Sequence, residues 1–303
     1  MTGIERGALD PGAWATVAMS GLIVLAITLA ALFGVSLLLG LDRKISASMQ
    51  LRIGPPVLQP WYDLTKLGAK RTVPGDRLAA ALLAAQVVVA AGAVAMLIAG
   101  GDLIVAILIL GAARVLFILA AGAIESPFAQ LGVAREIILL LLSEPLMLLV
   151  AIGYGTVAGS FSAAAIAASE PPALVLPTLG LTLGVLLAVA LRKSPFDIAT
   201  SHHAHQELVK GSTTELAGAW LALAELGHWF ETTFVIVLIG LGAAAIPAVA
   251  VGLIAATYLV AIVVDNAMPR ATWRAALAVG WGAGGTAAIV ALIGGRLLAT
   301  GGP

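Results

Sequence analysis

Charged and titratable residues are scarce in this chain, so the places where they gather, or stand alone in apolar sequence, are where chemistry could occur. Arg114 and Glu144 each stand near the middle of an apolar run, Glu144 directly before Pro145. An ionisable group at membrane depth costs about 2.5–3.5 kcal/mol on insertion scales, so it is usually paired and usually functional. The expectation is that Glu144 pairs with Arg114, either as a group that titrates during ion transfer or as a static structural pair. Arg135 and Glu136 lie nearer the start of the run that holds Glu144. Glu136 and Glu144 are eight residues apart, roughly 80° around a helix, and so share one broad face.

A second concentration lies at residues 192–215, RKSPFDIATSHHAHQELVKGSTTE. Ser194-Pro195 breaks any helix there, and Asp197, Glu207, Glu215 and the histidines His202, His203 and His205 follow. Beyond them Glu225, His228 and Glu231 recur at i, i+3 and i+6 on one helical face. Histidines and carboxylates at a membrane entrance suit a proton-transfer path, since both exchange protons near neutral pH when tuned. The plain alternative is a solvated polar loop. The histidine spacing matches no closed metal site, and the chain has no cysteine to assist, so no metal is expected here. Asp265 adds a further acid before Met268-Pro269-Arg270.

The elements that must position these groups follow from composition. Of 303 residues, 61% are hydrophobic and 11% charged, and the mean hydropathy is +1.08. Soluble domains carry about 25% charged residues, so an all-α integral membrane protein is expected. Net charge is zero, which argues against nucleic-acid partners. Without cysteine the chain offers no disulfide, thiolate metal site or iron–sulfur ligand. The apolar run from Trp14 to Gly40 exceeds the roughly 7–15 residues of a signal-peptide core, so cleavage is not expected. Eight stretches approach the ~20 apolar residues that a crossing needs: 14–40, 78–99, 102–123, 134–157, 173–191, 216–246, 248–268 and 275–297. Lipid leaves a spanning backbone no choice but helix. The sixth stretch is too long for one crossing and is expected to begin as a half-helix or surface helix. No soluble domain, repeat or coiled coil is evident, and the chain reads as a single polytopic domain.

Twelve of the sixteen Lys and Arg fall in the loops after the first, fifth and seventh stretches, and the loops after the second, fourth and sixth hold none. The positive-inside rule then places the odd-to-even loops in the cytoplasm and both termini outside the plasma (inner) membrane. The first of these loops, residues 41–77, is the longest. Its Gly54-Pro55-Pro56 corner cannot continue a helix. After it, Leu58, Trp61, Tyr62 and Leu67 can share a face opposite Lys66 and Lys70, as in a short amphipathic helix at the interface.

Four blocks carry a resemblance: DRK…QLRIGPPVLQPWYDLTKL, ESPFAQLGVAREIILLLLSEPLMLL, KSPFDIA…HQELVKG…TEL.G and DNAMPR. They resemble the membrane subunit of energy-converting (group 4) NiFe-hydrogenases and formate hydrogenlyases, which is homologous to the quinone-channel (heel) subunit of respiratory complex I. The likeness runs from Asp42 to Arg274 in the same order. It implies that Arg52, Gly54 and Pro55, with Asp63 and Lys66 after them, dock a peripheral redox arm. It implies an ion path through Arg135, Glu136 and Glu144, joined by the turn at Pro195, Phe196 and Asp197. Glu207, Gly211 and Glu215 keep the family's acidic-loop spacing, and Asp265 and Arg270 match polar positions at the end of the seventh span.

The expected partners are therefore hydrogenase large- and small-subunit-like proteins, an iron–sulfur protein and antiporter-like membrane subunits, within the lipid bilayer. The NiFe centre and iron–sulfur clusters would sit in those partners, and this chain would bind no cofactor. One departure bears on branch. The segment Ser201-His202-His203-Ala204-His205-Gln206 replaces the acidic cluster of complex I heel subunits, which favours the hydrogenase branch and counts against a quinone site. The rival readings are a quinone-binding complex I subunit, a stand-alone cation/proton antiporter and a passive membrane anchor.

Overall fold

The computed structural model describes residues 11–70, 77–198, 211–269 and 271–300, with side chains placed from 19 to 297. Among them are helices α1 (Pro11–Met49), α2 (Gln59–Ala69), α3 (Arg77–Ile98), α4 (Leu103–Gly122), α5 (Pro127–Ala158) and the short α6 (Ala163–Ala168) and α7 (Pro172–Val175). There follow α8 (Leu179–Ala190), α9 (Ala219–Leu241), α10 (Pro247–Ala267), α11 (Trp273–Val279) and α12 (Thr286–Thr300), the last two joined by a π-helical segment, Gly280–Gly285. No strand occurs among the described residues.

Seven of the described helical stretches are long and apolar enough to cross a bilayer. The fifth expected span is a correction. At 173–191 the chain forms one turn of α7, a break, and then α8 of only 12 residues, about 18 Å against a ~30 Å core. Pro177 is the cause: it lacks an N–H and pushes the preceding Leu176 out of helical geometry, to φ −121° and ψ 66°. The broken segment still carries the chain from one end of the bundle to the other. Ala173 N–H bonds Gly242 O beside the end of α9 (2.9 Å), whereas Lys193 reaches Asp42 and Asp265 near the opposite ends of α1 and α10. The start of α1 and the end of α12 therefore lie together at the Gly242 end.

The sixth span is also corrected. No half-helix precedes it: α9 begins at Ala219 and stops at Leu241, and turns at residues 242–246 lead into Pro247 at the head of α10. The excess length was loop of apolar composition. The first and fourth spans prove longer than expected, because α1 runs on through Asp42, Arg43 and Lys44, and α5 begins at Pro127, where a proline costs no helical hydrogen bond.

α8 is the centre of the packing, with nine of its residues, from Leu179 to Ala190, buried among α5, α9, α10 and α12. Because it is short, it ends level with the middle of α9, where Thr232 Oγ1 meets Ala190 O at 3.4 Å. Among the described residues, the space below its last turn is bounded by the chain that follows it, by α2 and by the ends of α1, α9 and α10. That space is where the polar residues collect.

Candidate functional site

A cavity of about 1290 Å³ opens beneath α8, walled by the ends of α1, α2, α9 and α10 and by residues 191–197. α2 is held over it by Trp61, whose Nε1–H donates to Ser36 Oγ (2.6 Å) and whose ring meets Trp229 edge-on at 5.3 Å. The inward face of α2 is thus Pro60, Trp61 and Leu64. Leu58 and Tyr62, expected on that face, are exposed, because the helix is rotated to seat Trp61.

Many expected site residues meet at this cavity. Arg52, Pro55, Asp63 and Lys66 line it from the first loop and α2, and Asp197, Glu225, His228 and Asp265 line it from the other side. Gly54 lies half-buried against Lys44 of α1, just behind. Leu51 and Ile53 beside that corner are 97% and 101% exposed. Asp63 is engaged by Arg43 (2.8 Å) and Gln59 (2.7 Å).

One wall is a three-charge node: Lys193 Nζ lies 2.9 Å from Asp42 Oδ1 and 3.0 Å from Asp265 Oδ2, and Ser194 N–H bonds the other Asp265 oxygen. Lys193 is 6% exposed, so this is a desolvated cation shared by two acids. Next to it Arg192 turns the other way, with φ +51°, reaching Glu136 Oε1 at 3.1 Å and lying 5.7 Å from the Phe117 ring centroid. Glu136 also accepts from Ser212 Oγ (3.3 Å), while Arg135 donates to Ile198 O (2.9 Å). Glu215 stands apart from the cavity and accepts from Ser126 Oγ at 3.0 Å.

From the cavity a line of charge runs inward. His228 lines the cavity, and its Nδ1 is 3.7 Å from Glu231 Oε2. Glu231 Oε1 is 3.2 Å from Arg114 Nε, and Arg114 Nη1 donates to Ser143 Oγ. The next residue, Glu144, presses its carboxyl against Gly111 of α4, where a Cβ would fall 2.6 Å from Oε1. The expected Arg114–Glu144 pair is therefore corrected: Arg114 is bound to Glu231, and Glu144 Oε1 is buried with no hydrogen-bond partner among the described residues. Geometry explains the exchange, since Arg114 already spans from α9 to Ser143 and Glu144 sits one residue round α5 from that contact.

Glu207, His202, His203, His205 and Arg270 lie outside the described residues. Sequence reasoning passed over Asp42, Arg192 and Lys193, treated as ordinary loop and terminal charges, and gave Glu231 no partner. Glu231 stands midway along the 23-residue apolar α9, the same signal that singled out Glu144. Among the described residues no group of three or more His, Asp or Glu is placed to hold a metal ion.

The sequence model of the NADH dehydrogenase family matches residues 22–294. Hydrogenase-4 component C of Escherichia coli (strain K12) is 34% identical over 206 residues, 62% of this chain and 64% of that protein. Formate hydrogenlyase subunit 4 of the same organism is 30% identical over 216 residues, 65% of this chain and 69% of that protein. The chain thus matches less than two thirds of the length of the first relative. Among solved structures, a chain of the membrane-bound sulfane sulfur reductase, an archaeal respiratory membrane complex, superposes with a TM-score of 0.76 at 24% identity, covering 91% of this chain and 99% of that one.

Proposed function

This chain belongs to the NADH dehydrogenase family, and from that premise we propose that it is the membrane-anchor and ion-coupling subunit of a multisubunit, formate hydrogenlyase-like NiFe-hydrogenase complex. The two bacterial relatives support the hydrogenase branch. The observation that carries the coupling role is the line from the cavity through His228, Glu231 and Arg114 to Ser143 and Glu144. A passive anchor has no use for ionisable groups strung from its surface to the middle of its bundle.

In this reading the peripheral arm docks on the first loop and on residues 192–215, with the odd-to-even loops in the cytoplasm. The NiFe centre and iron–sulfur clusters belong to partner subunits, since this chain has no cysteine to ligate them. A redox-linked change of charge near the cavity alters the proton affinity of its acids. The paired buried charges pass that change inward to Glu144, which moves a cation.

A second reading, quinone reduction at the cavity, is favoured by its volume and by the apolar side chains of Leu39, Leu64 and Trp229 in its wall. Purification of the intact complex through a tag on this chain separates the two. Nickel, iron–sulfur subunits and hydrogenase activity establish the first; a nickel-free complex with flavin and quinone reductase activity establishes the second. Within the first, Glu144→Gln is expected to assemble normally and to abolish ion movement per hydrogen evolved. Full coupling in that variant would exclude the path.

A further inference from the structure

Gln86 is an uncharged polar residue in the apolar α3, 6% exposed, and its Oε1 has no hydrogen-bond partner among the described residues. Its amide is seated on Gly227 of α9, where a Cβ would fall 2.2 Å from Nε2. The layers of the bundle locate it. Leu83 of α3, Phe117 of α4 and Ala224 of α9 pack in one cluster. α3 and α9 run inward from that layer and α4 runs into it, so one turn deeper stand Gln86, Arg114 and Gly227–His228. The amide is therefore level with the ion pair, on the α3 side.

The residue after Gly227, His228, lines the cavity, and among the described residues its buried Nδ1 has no hydrogen-bond partner. Gly227 and Glu231, four residues apart, share one face of α9, so the amide on Gly227 faces the same side as the Glu231 carboxylate. A buried donor or acceptor left unpaired costs about 1–3 kcal/mol, and native proteins meet that cost with ordered water where several such groups converge. A carboxamide suits the task, because it both donates and accepts yet brings no charge to compete for Arg114. A glycine opposite gives it room.

We propose that Gln86 is a positioning residue: with His228 it holds a small cluster of internal water beside α9, joining the cavity wall to the Arg114–Glu231 pair. The water follows from the geometry alone, whereas its part in coupling rests on the function proposed above. The cluster supplies the continuous hydrogen-bonded contact that the 3.7 Å gap between His228 and Glu231 does not.

The test uses the wild-type complex first, imaged by cryo-EM at a resolution that shows ordered water. Density within hydrogen-bond reach of both Gln86 Oε1 and His228 Nδ1 is expected, and a dry site overturns the proposal without any variant having to fold. The complex is then reconstituted in vesicles and ions moved per redox turnover are counted. Gln86→Leu is expected to lower that ratio about tenfold, as for a misplaced relay, and Gln86→Asn to recover much of it. An unchanged ratio in Gln86→Leu overturns the role in the path. Ordered water in a wild-type complex that moves no ions would sink the functional reading and leave the water cluster standing.

Discussion

Arg114 Nε lies 3.2 Å from Glu231 Oε1, joining α4 to α9 with both side chains at most 14% exposed. Removing one member of such a pair strands a charge in apolar surroundings, at about 3–5 kcal/mol, whereas replacing both with apolar residues of similar size is often neutral. Arg114→Met and Glu231→Leu are each expected to lower the melting temperature of the purified complex markedly. The double variant is expected to regain most of the loss. Additive losses in this cycle would show that the two groups do not depend on each other.

Lys193 bridges Asp42 and Asp265, and the three tie α1, the turn after α8 and α10 together at the cavity. Lys193→Met leaves two carboxylates facing each other with nothing between. It is expected to destabilise the chain more than Asp42→Asn, which leaves the Lys193–Asp265 pair intact. Thermal melts of the two variants and of their combination check this, with the combination expected to lie above Lys193→Met alone.

Leu51 and Ile53 flank Arg52 at the corner after α1 and are almost fully exposed. Isolated exposed apolar side chains are unremarkable, but a corner of two beside Arg52 and Lys66 at the cavity mouth fits the docking surface proposed for the first loop. Leu51→Asp with Ile53→Asp is expected to leave insertion and folding nearly unchanged, within ~0.5 kcal/mol. The peripheral subunits are expected to be lost when the complex is purified through a tag on this chain. Retention of those subunits at normal yield would remove the first loop from the docking surface.

The membrane class, the positions of most helices and the two charge-rich regions were legible because lipid makes hydrophobic length nearly decisive. The break before α8 was signalled by Pro177 but overridden by an unbroken apolar reading of 173–191. Pairing was less legible. Arg114 was matched to Glu144 because both stand mid-run, yet the choice between Glu144 and Glu231 depends on how α4, α5 and α9 rotate against one another. Lys193 and Asp42 are 151 residues apart, and nothing local in either segment announces that contact. Gln86 drew no notice because a lone amide in an apolar helix gains meaning only from Gly227 opposite it.

The absence of cysteine makes orientation directly measurable. Lys66, in α2 over the cavity, and Glu170, between α6 and α7, are both exposed and lie toward opposite ends of the bundle. On the orientation proposed above, which follows the cation bias, the Lys66 end lies in the cytoplasm. In otherwise wild-type protein in whole cells, a membrane-impermeant maleimide is therefore expected to label Glu170→Cys and to spare Lys66→Cys until the cells are opened. The unmodified chain supplies a background free of thiols, so a signal reports one position. The reverse pattern would put the cavity on the outer face, where no cytoplasmic electron donor could reach it, and would remove the docking and coupling reading together. Labelling of both positions in intact cells would instead mean that α3, α4 and α5, which lie between them in the chain, do not make three crossings.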